Sequence, residues 1–197
     1  MWIRDDLPTH LPGTRAILYG YDTKLHNSQS FQGIPDLAHD LINQLQAYGW
    51  GRSSTKPIVF LAHSLGGLVL KEALVQLAKS NDNAHKTLLD AVLGAVFFGV
   101  PNLGMEQTDL RSIVQNNPNE LLVDDIGRPS NYLRRLDEAF AMESATTRLR
   151  CFWAFETSES PTVAVCKHVQ CVTEIGLISS RLEREGRSPE MGGLPSS

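Results

Sequence analysis

The stretch Pro57-Ile-Val-Phe-Leu-Ala-His-Ser-Leu-Gly-Gly67 constrains the fold of this chain more than any other. Its apolar run Ile58–Leu61 reads as a buried strand. Gly66 and Gly67 permit close packing, and Val69, Leu70, Ala73, Leu74 and Leu77 continue at helical spacing. A strand, a tight turn and a helix therefore follow one another, with Ser64 at the apex. Residues Ala62-His63-Ser64-Leu65-Gly66 fit the pattern G-x-S-x-G with alanine in the first position. Such a turn lifts a serine Oγ above the C-terminal edge of a parallel sheet. The N–H of the next residue, Leu65, opens the helix and points at a developing oxyanion. Ser64 is the candidate nucleophile and Leu65 the candidate oxyanion donor.

Composition fits one soluble α/β unit. The chain has 197 residues, 42% hydrophobic and 20% charged. A net charge of −4 with no basic block argues against a nucleic-acid partner. Cys151, Cys166 and Cys171 come late and are odd in number, so a reducing compartment is expected rather than a disulfide framework. Cys166, His168 and Cys171 lack a standard zinc spacing, and neither metal nor cofactor is expected. The N-terminus lacks the apolar core of a signal peptide. The longest apolar stretch, Ala91–Val100, is half a membrane span and reads as a buried strand. These features predict an intracellular, soluble protein without a transmembrane segment.

Further elements follow from periodicity. Ala16–Tyr19 is a short strand, and Ile34–Tyr48 carries apolar residues at helical spacing with Pro35 in the first turn. Leu93–Val100 is a strand followed by the loop Pro101–Gly104. Residues 109–125 hold short helical pieces broken at Pro118, and Ser130 is placed to cap a helix carrying Leu133, Leu136 and Phe140. Leu149–Phe155 is the last strand assigned, with Glu156 at its C-terminal end. Strands alternating with helices predict a three-layer α/β fold with a parallel sheet, whose ligands bind beyond the C-terminal strand ends. Ser64, Asn102 and Glu156 would all lie there. The predicted domain spans 1–160. Residues 161–197 read as a divergent, partly disordered tail, its end rich in Gly, Pro, Ser and charge.

The segments Trp2–Pro8, Ala16–Asp22, Pro57–Lys71 and Val96–Gly104 together resemble the lipase-like serine esterases of the α/β-hydrolase superfamily. In particular they are similar to the serine active site-containing protein family and its fungal relatives. The resemblance runs from about residue 2 to about residue 160. It implies an esterase or lipase acting on acyl-ester or lipid substrates, with mitochondrial, endoplasmic-reticulum or peripheral membrane association. It also implies a strand ending in a His-Gly loop, lying between Ala16–Tyr19 and Ile58–Leu61, and a late loop carrying the catalytic histidine. Neither is recognisable here. The chain thus reads as an incomplete hydrolase core, cut at both ends and impaired as an enzyme. The alternatives are a non-catalytic interaction or effector module, or a fragment.

In this superfamily the triad follows the order serine, acid, histidine. Glu156 fits the acid by position, and Asp124 and Asp125 are weaker alternatives in the helical insert. His10, His26, His39 and His85 precede the acid. His63 adjoins Ser64 and is expected to turn into the packing behind the turn. His168 alone follows Glu156 and is the candidate base. Asn102 is a candidate pocket residue, because relatives carry a polar side chain in this Gly-x-Pro-x-x-Gly loop.

Overall fold

Among the described residues, five strands and six helices arise where the sequence alternates apolar runs with amphipathic segments. The structure is a computed structural model that describes residues 5–21, 31–52, 56–105 and 120–154, and the backbone of 175–180. In chain order the elements are α1 (Leu7–His10), β1 (Thr14–Tyr19), α2 (Ile34–Ala47), β2 (Ile58–His63), α3 (Leu65–Lys79) and α4 (Asn83–Ala91). They continue with β3 (Val92–Phe98), α5 (Glu120–Ile126), α6 (Asn131–Thr146), β4 (Arg150–Ala154) and β5 (Ile175–Ser180).

Helix ends follow local chemistry. Gly33 donates its N–H to the Asp36 carboxylate at 2.9 Å, which closes the first turn of α2, and Pro35 sits in that turn. The Asp82 side chain accepts from Ala84 N–H at 2.8 Å and starts α4. The Ser130 hydroxyl accepts from Leu133 N–H at 3.0 Å, as expected of an N-cap.

The strand order is β1-β5-β2-β3-β4. Strands β2, β3 and β4 are parallel, with Leu61 opposite Val96 and Val96 opposite Phe152. Strand β5 runs antiparallel to both β1 and β2, pairing Leu177 with Ile17 on one side and Phe60 on the other. Strand β1 therefore points the same way as β2 but never touches it. The expected parallel sheet is corrected to a mixed one. The position beside Ala16–Tyr19 is neither open nor closed up against Ile58–Leu61, because Ile175–Ser180 fills it. Residues 175–180 lie in the segment read from sequence as a divergent, partly disordered tail, so this strand is a correction to that reading.

Alternation along the strands separates two faces. Ile58, Phe60, Ala62, Ala95 and Phe97 lie on one face and are buried in the core with Leu37, Leu41, Leu68, Leu74, Leu136 and Phe140 from α2, α3 and α6. Phe97 stacks on Trp153 at 4.3 Å between centroids, and Phe140 meets both rings edge-on. The opposite face carries Leu18, Phe98 and Phe152, which are 51%, 38% and 64% exposed. That is an unusually wet surface for an α/β sheet, which ordinarily has both faces covered.

Candidate active site

Ser64 lies between the last residue of β2 and the first of α3. Its backbone stands at φ 51°, ψ −127°, the only positive φ at a non-glycine position among the described residues. A Cβ-bearing residue reaches this region only under strain, about 1–3 kcal/mol. The conformation persists because its surroundings hold it. Ser64 N–H donates to Phe98 O at 2.9 Å, and Ser64 O accepts from Gly67 N–H at 3.0 Å. The Ser64 side chain makes no cap to its own helix and stays half-buried. Leu65 is the first helical residue, so its N–H has no intrahelical carbonyl to reach.

The loop after β3 is seated on the first turn of α3. Gly99 N–H donates to Ala154 O at 2.9 Å, aligning the ends of β3 and β4 with Ser64. A Cβ built on Gly67 would lie 2.1 Å from Val100 Cγ2, so glycine is required for this approach. Gly67→Ala is expected to lower stability by roughly 1–3 kcal/mol, the overpacking cost outweighing the helical gain of about 1 kcal/mol. In a Val100→Ala background the same substitution should cost much less. Urea unfolding of the four proteins checks this, and equal costs in both backgrounds would refute the contact.

Asn102 lies in that loop, half-buried, but its side chain does not stand free. Its Oδ1 accepts from Lys71 Nζ at 2.9 Å. Lys71 comes from α3, is 1% exposed, and also donates to Asp137 Oδ1 at 2.6 Å. Its ammonium sits 5.4 Å from the centre of the Phe140 ring and 5.6 Å from that of Trp153. Burial pulls the Lys71 ammonium below the ordinary lysine range, and Asp137 pulls it back upward. Lys71 was not singled out from sequence. A lysine among Leu68, Val69, Leu70, Ala73 and Leu74 on a buried helix was the available signal.

Of the alternative acids, Asp125 has another employment. Asp125 accepts a backbone hydrogen bond from Ile34 N–H and so serves the N-terminus of α2. Burial pushes its carboxyl above the usual range, and Asp124, Asp36 and Glu72 push the same way. A folded pKa above the unfolded one means the native state binds more protons in that window, so stability falls as pH rises through it. Asp125→Asn keeps an acceptor for Ile34 and removes the charge. It should be more stable than the unsubstituted protein at pH 7, the gap closing as pH falls into the ordinary carboxyl range. Paired thermal melts from pH 3 to pH 7 test this, and a gap independent of pH would contradict it.

The histidines divide. His10 Nδ1 lies 2.9 Å from Asp6 O, and His85 Nδ1 lies 2.7 Å from Ser80 Oγ, each a local contact. His39 is exposed. His63 is exposed too, a correction to the expectation that it packs behind the turn, since residue 63 points to the less covered face. Glu156, His26 and His168 lie outside the described residues. The structure thus gathers Ser64, Leu65, Val100 and Asn102 at one sheet edge. No group of metal-ligating side chains occurs among the described residues.

A mixed α/β sheet that holds a strained serine between a strand and a helix defines the general class. Residues 3–115 match the family described as "Putative serine esterase (DUF676)", and the chain belongs to that family. It is 29% identical over 108 residues to Protein SERAC1 of Bos taurus and of Homo sapiens, covering 52% of this chain and 16% of each of those proteins. Against Protein SERAC1 of Danio rerio it is 28% identical over 148 residues, covering 71% of this chain and 22% of that protein. The chain therefore spans less than a quarter of the length of these relatives. No solved structure gives a significant match.

Proposed function

We propose that this protein is a serine hydrolase of carboxylic esters, lipase-like, that works by acylation of Ser64. The observation that carries the reading is the backbone of Ser64, held at φ 51° between β2 and α3. Strain at a serine between a strand and a helix supports reading the turn as a nucleophile elbow. Ser64 Oγ attacks the ester carbonyl, and the alkoxide leaves as the acyl-enzyme forms. Leu65 N–H stabilises the oxyanion, as a helix N-terminus can. Glu156 orients the base, and His168 takes the Ser64 proton and returns it to the leaving alcohol. Support for these last two roles is positional. Ala154 ends β4 and Ile175 begins β5 at the same sheet edge as Ser64, since Ile175 pairs with Ala62. Both candidates lie in the segment between those two anchors.

Acyl-ester or lipid substrates belong to this reading, as does peripheral association with mitochondrial or endoplasmic-reticulum membranes. These rest on the resemblance. No described helix is long and apolar enough to cross a membrane. Labelling by a fluorophosphonate probe tests the function. The unsubstituted protein should label at Ser64, with p-nitrophenyl butyrate turnover weak as its impaired triad predicts, and Ser64→Ala should show neither. Equal labelling of both proteins would overturn the reading, and failure of both to label would favour a non-catalytic interaction module.

A further inference from the structure

We propose that Lys71 is a positioning residue that fixes the Asn102 amide so that its Nδ2–H2 serves as a second hydrogen-bond donor to the substrate acyl oxygen. The proposal rests on the serine-hydrolase reading above. It begins from a charge in an unexpected place. Lys71 is the one buried charged side chain among the described residues. Removing an ammonium from water is costly, and a well-packed apolar side chain of similar volume often serves stability as well or better. Stability alone therefore does not explain a lysine here.

Its partners suggest what does. Lys71 follows Ser64 by about two helical turns, so it lies beneath the N-terminal turn of α3. Its ammonium joins α3 to the loop after β3 through Asn102 and to α6 through Asp137. Asp137 is 62% exposed, so its end of the pair is open to water, whereas Asn102 is half-buried in the loop whose Val100 packs on Gly67 of α3.

The chemistry of the pair decides which way the amide faces. An ammonium has three donors and no acceptor. Only the amide oxygen of Asn102 can face it, so Nδ2–H2 must turn to the opposite side. No described residue accepts from that group. The loop is also held close: Asn102 N–H bonds to Val100 O at 2.9 Å, and Val100 is pressed onto Gly67 in the first turn of α3. A donor of fixed orientation beside a helix N-terminus suits an oxygen that gains charge. It would complement Leu65 N–H.

Asn102→Asp separates the donor from the tie. The carboxylate keeps an acceptor for Lys71 and adds charge assistance, but has no N–H to offer. If the donor matters, Asn102→Asp and Asn102→Ala should both slow fluorophosphonate labelling of Ser64, by roughly 10²–10³-fold. Lys71→Met should slow it at least about 10-fold with little loss of melting temperature. Labelling of Asn102→Asp at the unsubstituted rate would overturn the donor role. The tie itself is read without any chemistry. With Lys71 present, Asn102→Asp should melt higher than Asn102→Ala. In a Lys71→Met background the order should reverse, because the carboxylate loses its partner. The same order in both backgrounds would overturn the positioning. Absence of labelling in the unsubstituted protein would remove the hydrolase reading and the donor role with it, while the melting comparison still decides the tie.

Discussion

A protein ended at Glu174 should not melt cooperatively. Strand β5 is the only described strand that touches β1, and it covers one whole edge of β2. Its removal strips the ladder from Thr14–Tyr19 and leaves Ile58–Ala62 unpaired on that side. Unpaired, apolar strand edges are templates for association between chains. The loss should exceed ~5 kcal/mol, the lower end of the stability of a whole domain. Calorimetry should show no sharp transition, and light scattering should show aggregates. Leu177→Pro tests the same point within the full chain, since proline removes a ladder N–H from a strand paired on both sides. A shortened protein with an unchanged, sharp melt would show that β5 contributes nothing to the sheet.

Substitution of Ser64 by glycine should make the protein more stable while abolishing probe labelling. Glycine occupies positive φ without the Cβ penalty, so the strain held at Ser64 is released. The gain should be about 1–2 kcal/mol, within the range for one strained residue, less the entropy glycine adds to the unfolded chain. Ser64→Ala keeps the Cβ and hence the strain. The informative quantity is therefore the difference between the two variants, both of which lose the proposed nucleophile. Urea unfolding gives it directly. A glycine variant no more stable than the alanine variant would mean that the turn is not strained in solution.

Sequence carried the elements whose causes are local. Ile58–Leu61 announced β2 by its run of apolar residues, Ser130 announced α6 by its cap, and Gly66-Gly67 announced a close helix approach. Helix α4 was missed although Asp82 offered a capping signal ahead of it. Strand β5 was missed for a different reason. Ile175-Gly-Leu-Ile-Ser-Ser180 is short and borders polar sequence, and its partners Ile17 and Phe60 lie more than a hundred residues earlier. No local pattern records such a pairing. The tie between Lys71, Asn102 and Asp137 was invisible for the same reason, since it spans 31 and 66 residues. The resemblance pointed to Ser64 and its neighbours. It could not show that the Asn102 oxygen is already occupied.

The late position of β5 also bears on how the protein is made. Strand β1 (Thr14–Tyr19) emerges from the ribosome well over a hundred residues ahead of β5 (Ile175–Ser180), and has no described strand to pair with until residues 175–180 exist. At about 5–20 residues per second, that interval is on the order of ten to thirty seconds. Through it, β1 and the neighbouring edge of β2 stay open in the nascent chain. The sheet is completed by its most distant contacts, so closure is slow as well as late. A chaperone that covers those edges during translation would meet a need set by where one strand sits in the gene.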